Sequence, residues 1–286
     1  MKRQHDDYTV GIIGLGLMGA SMAYALRGFR QATLLGADTD ALVCRRAEAA
    51  GAVHRAFTDP MEVMERADLL LFCVYAHHIP GLLQAGAARL KPGALLGDIC
   101  GVKAPLYAKI APLLPEGVDY VGVHPMAGKE RDGFENAEAG LYRNSGFIIT
   151  ALPCSSAEGV ETMRALASHI GATRLSVCSP EEHDAMIAYT SDLMHIAAAG
   201  LCLHPKAEMN PAFTAGAFRD CTRVADINAD AWTELLLDNR SHITGCLAQY
   251  MADLGDIKAA LEQNSAPALR SLLHKAGENK RELLHK

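Results

Sequence analysis

Short apolar runs alternate with helix-like segments over the first 178 residues of the chain. The runs predict β-strands at Thr9–Ile13, Ala32–Ala37, Leu69–Val74, Ala94–Asp98, Tyr120–Val123, Phe147–Thr150 and Arg174–Val177. Helical patterns separate many of them, as at Asp40–Ala50, Ile79–Leu90 and Ser156–Ile170. Continuous apolar strands between helices are typical of a parallel sheet covered on both faces. Residues 1–178 are therefore expected to form an α/β, doubly wound Rossmann-type domain that binds its ligand beyond the strand carboxyl ends.

The pattern changes at Ser179–Glu182, which read S-P-E-E and are typical of a capped helix start. From there the periodicity is helical, so residues 179–286 are expected to form an all-helical domain. Spacings of four, three and four place a set of side chains on one face of its first helix: Asp184, Ala188, Ser191 and His195. Long helices such as the predicted Asp230–Gln249 carry more apolar surface than a small domain covers alone. This favours a homodimer joined through the helical domain.

A glycine-spaced turn follows the first predicted strand and reads G-L-G-L-M-G, the G-x-G-x-x-G pattern of a dinucleotide site. Gly14 permits the tight turn, Gly16 lets the backbone approach a pyrophosphate, and Gly19 lets the next helix pack closely. Asp38, after the second strand, is placed to accept hydrogen bonds from ribose hydroxyls, and its charge favours NAD over NADP. The alternative is a purely structural glycine turn. The predicted cofactor contacts are Gly14, Leu15, Gly16, Leu17, Met18, Gly19, Asp38 and Val74.

Composition narrows the class of protein. Half of the 286 residues are hydrophobic and 21% are charged, which suits a globular protein with a sizeable core. The net charge of −6 argues against a nucleic-acid partner. The eight cysteines are scattered and no Cys/His cluster has zinc spacing, so no metal is expected. We find neither an apolar run of membrane-spanning length nor a signal-peptide core, which predicts a cytoplasmic protein without a membrane partner.

Three further segments carry candidate chemistry. His124 leaves a predicted strand at the ligand edge of the sheet, where imidazole can be the base that alcohol oxidation requires; the alternative is a structural histidine. A positively charged nicotinamide beside it would hold its pKa down. Lys103 follows the strand that ends at Asp98 and is either an active-site cation or the first-turn residue of a surface helix. Arg219 and Arg223 are one helical turn apart, forming either an exposed salt-bridge face or a carboxylate site.

Together these segments resemble one family. The glycine turn, G-V-K, H-P-M-A-G-K-E, H-D-A-M-I-A-Y-T-S-D-L-M-H and F-R-D-C-T-R-V-A…W-T-E-L…N-R occur in the order typical of the prephenate dehydrogenases of tyrosine biosynthesis, over about Val10 to Arg240. The resemblance implies NAD-dependent oxidative decarboxylation of prephenate, and a dimer. It makes His124 the catalytic base and Arg223 the holder of a substrate carboxylate. It also implies a substrate site that includes His195, Glu130, Trp232, Gly101 and Lys103.

The chain departs from the family pattern at two places. Gly101 stands where many members have a serine that supports the histidine, and Asp192 and Met194 replace the His and Pro of S-H-L-P-H. Arogenate remains an alternative substrate, with Glu130 or Asp192 as candidate partners for its ammonium group. Two other classes also remain open. The glycine turn resembles that of the β-hydroxyacid dehydrogenases, and a nucleotide-sensing protein could have kept the fold without the catalyst.

Overall fold

Eight strands form a single sheet that is covered on both faces. The computed structural model describes residues 8–129, 131–204 and 211–284. The strand order is β3-β2-β1-β4-β5-β6-β7-β8. Side chains of β1 alternate between two apolar clusters, with Ile12 in one and Ile13 in the other. The strands are β1 (Thr9–Ile13), β2 (Thr33–Ala37), β3 (Arg55–Phe57), β4 (Leu69–Phe72), β5 (Leu95–Asp98), β6 (Asp119–Met126), β7 (Gly146–Ala151) and β8 (Arg174–Cys178).

Six helices accompany this sheet, and the predicted doubly wound Rossmann-type fold is confirmed. They are α1 (Leu17–Ala25), α2 (Ala41–Ala49), α3 (Met61–Met64), α4 (His78–Gly86), α5 (Ala104–Ile110) and α6 (Ala157–His169). Sequence patterning did not predict β3 or α3, because a three-residue strand and a single helical turn carry too little periodicity to register.

The sheet departs from the expected parallel arrangement at β6 and β7, which pair antiparallel. A parallel pair needs a long crossover, usually a helix. In the described part of the connection between them, the regular structure is a short 3₁₀ turn at Phe134–Asn136. The chain therefore returns directly, and β7 runs back beside β6. This lets β6 continue through Met126, three residues beyond its predicted end.

After Cys178 the described residues contain helices and no strand. The helices are α7 (Pro180–Ile187), α8 (Leu193–Cys202), α9 (Gly216–Thr222), α10 (Ala229–Asp238), α11 (Arg240–Glu262) and α12 (Ala266–Leu284). The single helix predicted over residues 230–249 is wrong, since the chain breaks at Asn239 between α10 and α11. The Asn239 side chain is buried and hydrogen-bonded to α7, which holds the break in place.

A π-helical turn at Ala188–Asp192 joins α7 to α8. A π turn adds a residue, which rotates the following side chains by about 100° relative to a regular α-helix. The predicted common face for Asp184 and His195 is therefore wrong. Asp192 is tied to the same helix through Asn239, which donates to the backbone carbonyl of Asp184 and to the Asp192 carboxylate, both at 2.9 Å.

The continuous run Pro180–Cys202 is long and apolar enough, by length and composition alone, to cross a membrane. The sequence-based expectation of no such run is wrong in that respect. Three polar side chains of the run, His183, Asp184 and Asp192, are at most 1% exposed and hydrogen-bond to other parts of the protein. His183 and Asp184 anchor the run to the strand-containing half, and Asp192 ties it to the junction between α10 and α11.

Candidate active site

The carboxyl ends of the parallel strands meet the helical half of the chain. Asp184 of α7 accepts hydrogen bonds from the amides of Lys103 and Ala104, both at 2.8 Å, at the start of α5. Farther along the same junction, Nδ1 of His77 lies 2.6 Å from a carboxylate oxygen of Glu234 in α10. The edge where a ligand binds in a doubly wound sheet is thus faced by α7 and α10.

The glycine turn after β1 has the shape of a phosphate cradle. Gly14 has φ +91°, and a Cβ on it would collide with the carbonyl oxygen of Cys73. A Cβ on Gly19 would collide with the Gly14 carbonyl, so α1 packs directly on the turn. No described atom lies within 4 Å of the Cβ position of Gly16, and the first amides of α1, from Leu17 onward, have no side-chain cap. Such amides bind phosphate, so the turn fits a dinucleotide.

Asp38 reaches this turn from the end of β2. Its Oδ2 accepts a hydrogen bond from the amide of Leu15 at 2.9 Å, and its Oδ1 accepts one from the amide of Asp40 at 3.0 Å. Each oxygen keeps a second lone pair, so the carboxylate fits a ribose diol. The Leu15 side chain is buried in the core. Val74, after β4, packs against the turn, with Cγ1 2.8 Å from the Cβ position of Gly14.

His124 lies in β6, beyond the point where β5 stops pairing with it. The predicted strand ended one residue earlier, whereas in the structure His124 is a strand residue, opposite Ile148. Its Nδ1 is 2.9 Å from Nε2 of His183 in α7. Burial, and then the neighbouring His183 and Lys103, hold the pKa of His124 well below its ordinary value of 6.5. The imidazole is therefore neutral at physiological pH without help from a bound cofactor.

Lys103 is completely buried. Its Nζ lies 2.5 Å from Oδ1 of Asp98 and donates to the Val123 carbonyl at 2.7 Å. The Asp98 carboxylate also accepts a hydrogen bond from the Tyr120 hydroxyl at 2.9 Å. The sequence left Lys103 as either an active-site cation or a residue on the surface of a helix. The buried ammonium is neither, since it bonds to Asp98 and Val123 and is not exposed. The prediction that Lys103 binds substrate is corrected: it holds the strand that carries His124.

Gly101 lies between the histidine and the helical half. A Cβ on this residue would stand 4.0 Å from Cε1 of His124 and 3.0 Å from Cδ1 of Leu235 in α10. The loop after β5 therefore lies between the His124 ring and α10. Because glycine has no side chain, Gly101 offers His124 no hydroxyl, and His183 is the hydrogen-bond partner of His124.

The helical half brings two of the predicted substrate residues together. The rings of His195 and Trp232 lie 3.8 Å apart between centroids, and both are partly exposed. The short turn Arg223–Ala225 packs against α8, the helix that carries His195. Arg223 is exposed. The remaining predicted residue, Glu130, lies outside the described residues.

Sequence reasoning missed the most important contacts of His124. His183 and Asp184 stand in the motif H-D-A-M-I-A-Y, but no role was predicted for His183, and Asp184 was placed only on a helix face. A buried His-Asp dipeptide in an apolar helix was a signal that these side chains have partners, since charged residues are almost never fully buried without one. Asn239, which joins Asp184 to Asp192, gave no comparable signal.

A phosphate cradle at the start of α1 and a neutral histidine at the same edge of the sheet define a nucleotide-dependent dehydrogenase. Comparison with known families agrees. Residues 22–175 match the nucleotide-binding domain of prephenate dehydrogenase, and residues 179–275 match the dimerization domain of the same family. The chain belongs to the prephenate dehydrogenase family.

Individual relatives extend over most of the chain. A cyclohexadienyl dehydrogenase of Zymomonas mobilis is 30% identical over 88% of this chain and 88% of its own length. A prephenate dehydrogenase of Bacillus subtilis is 28% identical over 91% of this chain and 72% of its own. The structure superposes on A. aeolicus prephenate dehydrogenase in complex with hydroxyphenyl propionate and NAD+, with a TM-score of 0.86, 22% identity and coverage of 96% and 98%. The predictions of family, dehydrogenase class and NAD as cofactor are confirmed.

Proposed function

We propose that this enzyme catalyses the NAD-dependent oxidative decarboxylation of prephenate to 4-hydroxyphenylpyruvate and carbon dioxide, in tyrosine biosynthesis. One observation carries the proposal: His124 is a neutral imidazole at the ligand edge of the sheet, with Nδ1 bonded to His183 and the side-chain-free Gly101 beside Cε1. A base of this kind is what removal of a ring hydroxyl proton requires.

In this mechanism His124 takes the proton of the ring hydroxyl as the carbon that bears it loses a hydride. The glycine turn and Asp38 would hold NAD, which would supply the hydride acceptor when bound. The ring carbon becomes a carbonyl carbon, and the electron pair of the bond to the ring carboxylate then enters the ring as carbon dioxide leaves. The new ring is aromatic, so the protein need not supply the whole driving force. Arg223 holds a substrate carboxylate without over-stabilising its charge, since catalysis depends on differential binding.

The substrate site is proposed to include Arg223, His195, Trp232, Gly101 and Glu130. The contact between His195 and Trp232 supports a shared surface, and the packing of the Arg223 turn on α8 brings Arg223 to the same helix. The cofactor is proposed to contact the backbone of the turn from Gly14 to Gly19, with Asp38 and Val74. Residues 1–178 are proposed as the nucleotide-binding domain and residues 179–286 as the substrate-binding and dimerisation domain, because β8 ends at Cys178 and α7 starts at Pro180.

The helical half is also proposed to join two copies of the chain. Most of the exposed large apolar side chains in the described residues belong to it, among them Met186, Leu201, Met251, Leu261 and Leu273. A large exposed apolar surface marks an interaction site. We further propose a cytoplasmic enzyme with no membrane or nucleic-acid partner, which cell fractionation and a nucleic-acid retention assay test.

Arogenate is the second candidate substrate, and Asp192 is the observation in its favour. Oδ1 of Asp192 is the one buried side-chain oxygen or nitrogen of the described residues without a hydrogen-bond partner. Arogenate carries an ammonium group that can donate a hydrogen bond to such an oxygen. The pyruvyl group of prephenate has no N–H to donate.

Steady-state kinetics with prephenate and with arogenate, each against NAD and NADP, test the proposal. The expected result is the highest kcat/KM with prephenate and NAD. A preference for arogenate, lost in Asp192→Asn, would establish the second candidate instead. Absence of activity with both acids would contradict the proposed function, and preference for NADP would contradict the role given to Asp38.

A further inference from the structure

We propose that His183 and Asp184 are positioning residues that decide which ring nitrogen of His124 carries the proton. This inference rests on the proposed function, because it assigns the proton acceptor for that reaction to Nε2 of His124. It differs from a packing role, since it follows from the direction of each hydrogen bond in a chain of three side chains that begins in α7 and ends in β6.

The direction is set at Asp184. Its Oδ1 accepts the amide of Lys103 and its Oδ2 accepts the amide of Ala104, both at 2.8 Å and both at the amino-terminal end of α5. Asp184 is 1% exposed, so its negative charge is stabilised by these two donors rather than by water. A carboxylate in this setting only accepts hydrogen bonds. Nδ1 of His183, which lies 2.7 Å from Oδ1, must therefore carry a proton and donate it.

The second step passes through His183. Its ring is 1% exposed, and burial is the largest of the effects that hold its pKa below the ordinary 6.5. In a neutral imidazole whose Nδ1 is protonated, Nε2 has a lone pair and can only accept. Nε2 of His183 is 2.9 Å from Nδ1 of His124, so the latter nitrogen must be the donor. The proton of neutral His124 therefore resides on Nδ1, and Nε2 keeps the lone pair that receives the substrate proton.

The surroundings leave no competing arrangement in the described residues. The charged groups that face the pair are Asp184 on α7, Lys103 before α5 and Asp98 at the end of β5. Lys103 and Asp98 are bonded to each other, and among the described residues neither of them hydrogen-bonds to the two imidazoles. Gly101, beside the His124 ring, has no side chain and so no hydroxyl to offer. The acceptor on His183 also stabilises the imidazolium that forms on His124 as the substrate proton arrives.

Two substitutions of His183 separate positioning from packing. His183→Gln can place an amide oxygen toward His124 and an amide nitrogen toward Asp184, so it can still accept a hydrogen bond from His124 and donate one to Asp184. His183→Leu fills a similar volume and can make neither hydrogen bond. We expect kcat with prephenate to fall at least about tenfold in His183→Leu with little change in KM, and to stay near the native value in His183→Gln. Equal losses in the two variants, or none in either, would overturn the inference.

The proton itself can be located by ¹⁵N NMR of histidine-labelled protein, in which protonated and unprotonated ring nitrogens resonate far apart. The His124 signals are identified by their absence in His124→Asn. The native protein is expected to show Nδ1 of His124 protonated and Nε2 unprotonated, an arrangement kept in His183→Gln. A native protein with the proton on Nε2 would overturn the inference. This spectrum needs neither turnover nor a folded His183→Leu variant, so it separates failure of the inference from failure of the proposed function.

Discussion

The two halves of this protein place their functional groups by different means. In the first half, backbone geometry places the functional groups. The glycine turn, Asp38 and His124 lie at the edge of the sheet where the parallel strands end, and that edge is set by the sheet topology. In the second half, contacts between side chains place the functional groups. His183 reaches the other half through one hydrogen bond and Asp184 through two, and their positions depend on helix packing.

The halves also differ in how completely they are buried. Every residue of β4 and β5 is buried, whereas the described residues of α9, α10 and α12 include no buried one. The first half has a core of its own, and the second exposes apolar surface that a second copy would cover. The proposed cofactor site therefore belongs to the more completely buried half, and the proposed base takes its hydrogen-bond partner from the other.

Loss of the base is the largest expected effect. His124→Asn should lower kcat with prephenate by about 10²–10⁴ while NAD binding is unchanged, because the cradle for NAD lies in other elements. Stopped-flow kinetics and NAD titration measure the two properties. Normal turnover in this variant would show that another group accepts the proton.

Next in size is the buried ion pair beneath the site. Lys103→Met leaves the fully buried Asp98 without its cation and should lower the free energy of unfolding by about 3–5 kcal/mol. The matched control is Lys91→Met, because the Lys91–Asp68 pair is partly exposed and should contribute at most about 1 kcal/mol. Urea unfolding of both variants makes the comparison. Equal losses of unfolding free energy in the two variants would mean that the buried ion pair contributes no more than the exposed one.

Asp192 gives the helical half a pH-dependent stability. Burial raises its pKa to about 6 from 3.8, so the folded state favours the protonated form. The cost of ionising it in the folded state appears as pH rises from about 4 to about 6 and persists above that range. Asp192→Asn stays neutral and should gain stability relative to the native protein over this interval, by up to about 3 kcal/mol.

Thermal unfolding of Asp192→Asn at pH 4 and pH 7 measures this difference, and exposed Asp253→Asn on α11 is the control. A constant difference between native protein and variant at the two pH values would contradict the assignment of a raised pKa to Asp192.

Substitutions on the exposed apolar face of the helical half are expected to change the fold of a protomer least. Leu261→Glu combined with Leu273→Glu replaces side chains that are 60% and 59% exposed, and should convert a dimer into protomers of 30.6 kDa. Leu42→Glu, at a 44% exposed position of the first half, should leave the dimer intact. Light scattering reads the mass directly. A double variant that remains dimeric would place the interface elsewhere on the helical half.

Much of the first half could be predicted from the sequence because its signals are local. A strand such as Leu69–Phe72, buried on both faces, appears as a continuous apolar run, and the glycine turn has fixed spacing. The antiparallel return of β7 was missed, since strand direction depends on the connection and not on the strand itself. The break at Asn239 was missed for a related reason: a buried amide bonded to a distant helix leaves the helical periodicity unchanged.

The site was predictable only in part. His124 was identified because its position follows from the sheet, but its partner His183 lies 59 residues away, and nothing in the spacing indicates that the two rings meet. Lys103 was misassigned because its sequence position, after a strand and before a helix, is the same whether its ammonium faces a cleft or a buried carboxylate. Only the packing around Asp98 decides between them.

The most direct test of the central claim is a crystal structure of the enzyme with NAD and 4-hydroxyphenylpyruvate. We expect the ring oxygen of the product within about 2.6–3.2 Å of Nε2 of His124, with Nδ1 still bonded to His183. A product whose ring oxygen contacts another group, or a His124 ring turned so that Nδ1 faces the product, would contradict it.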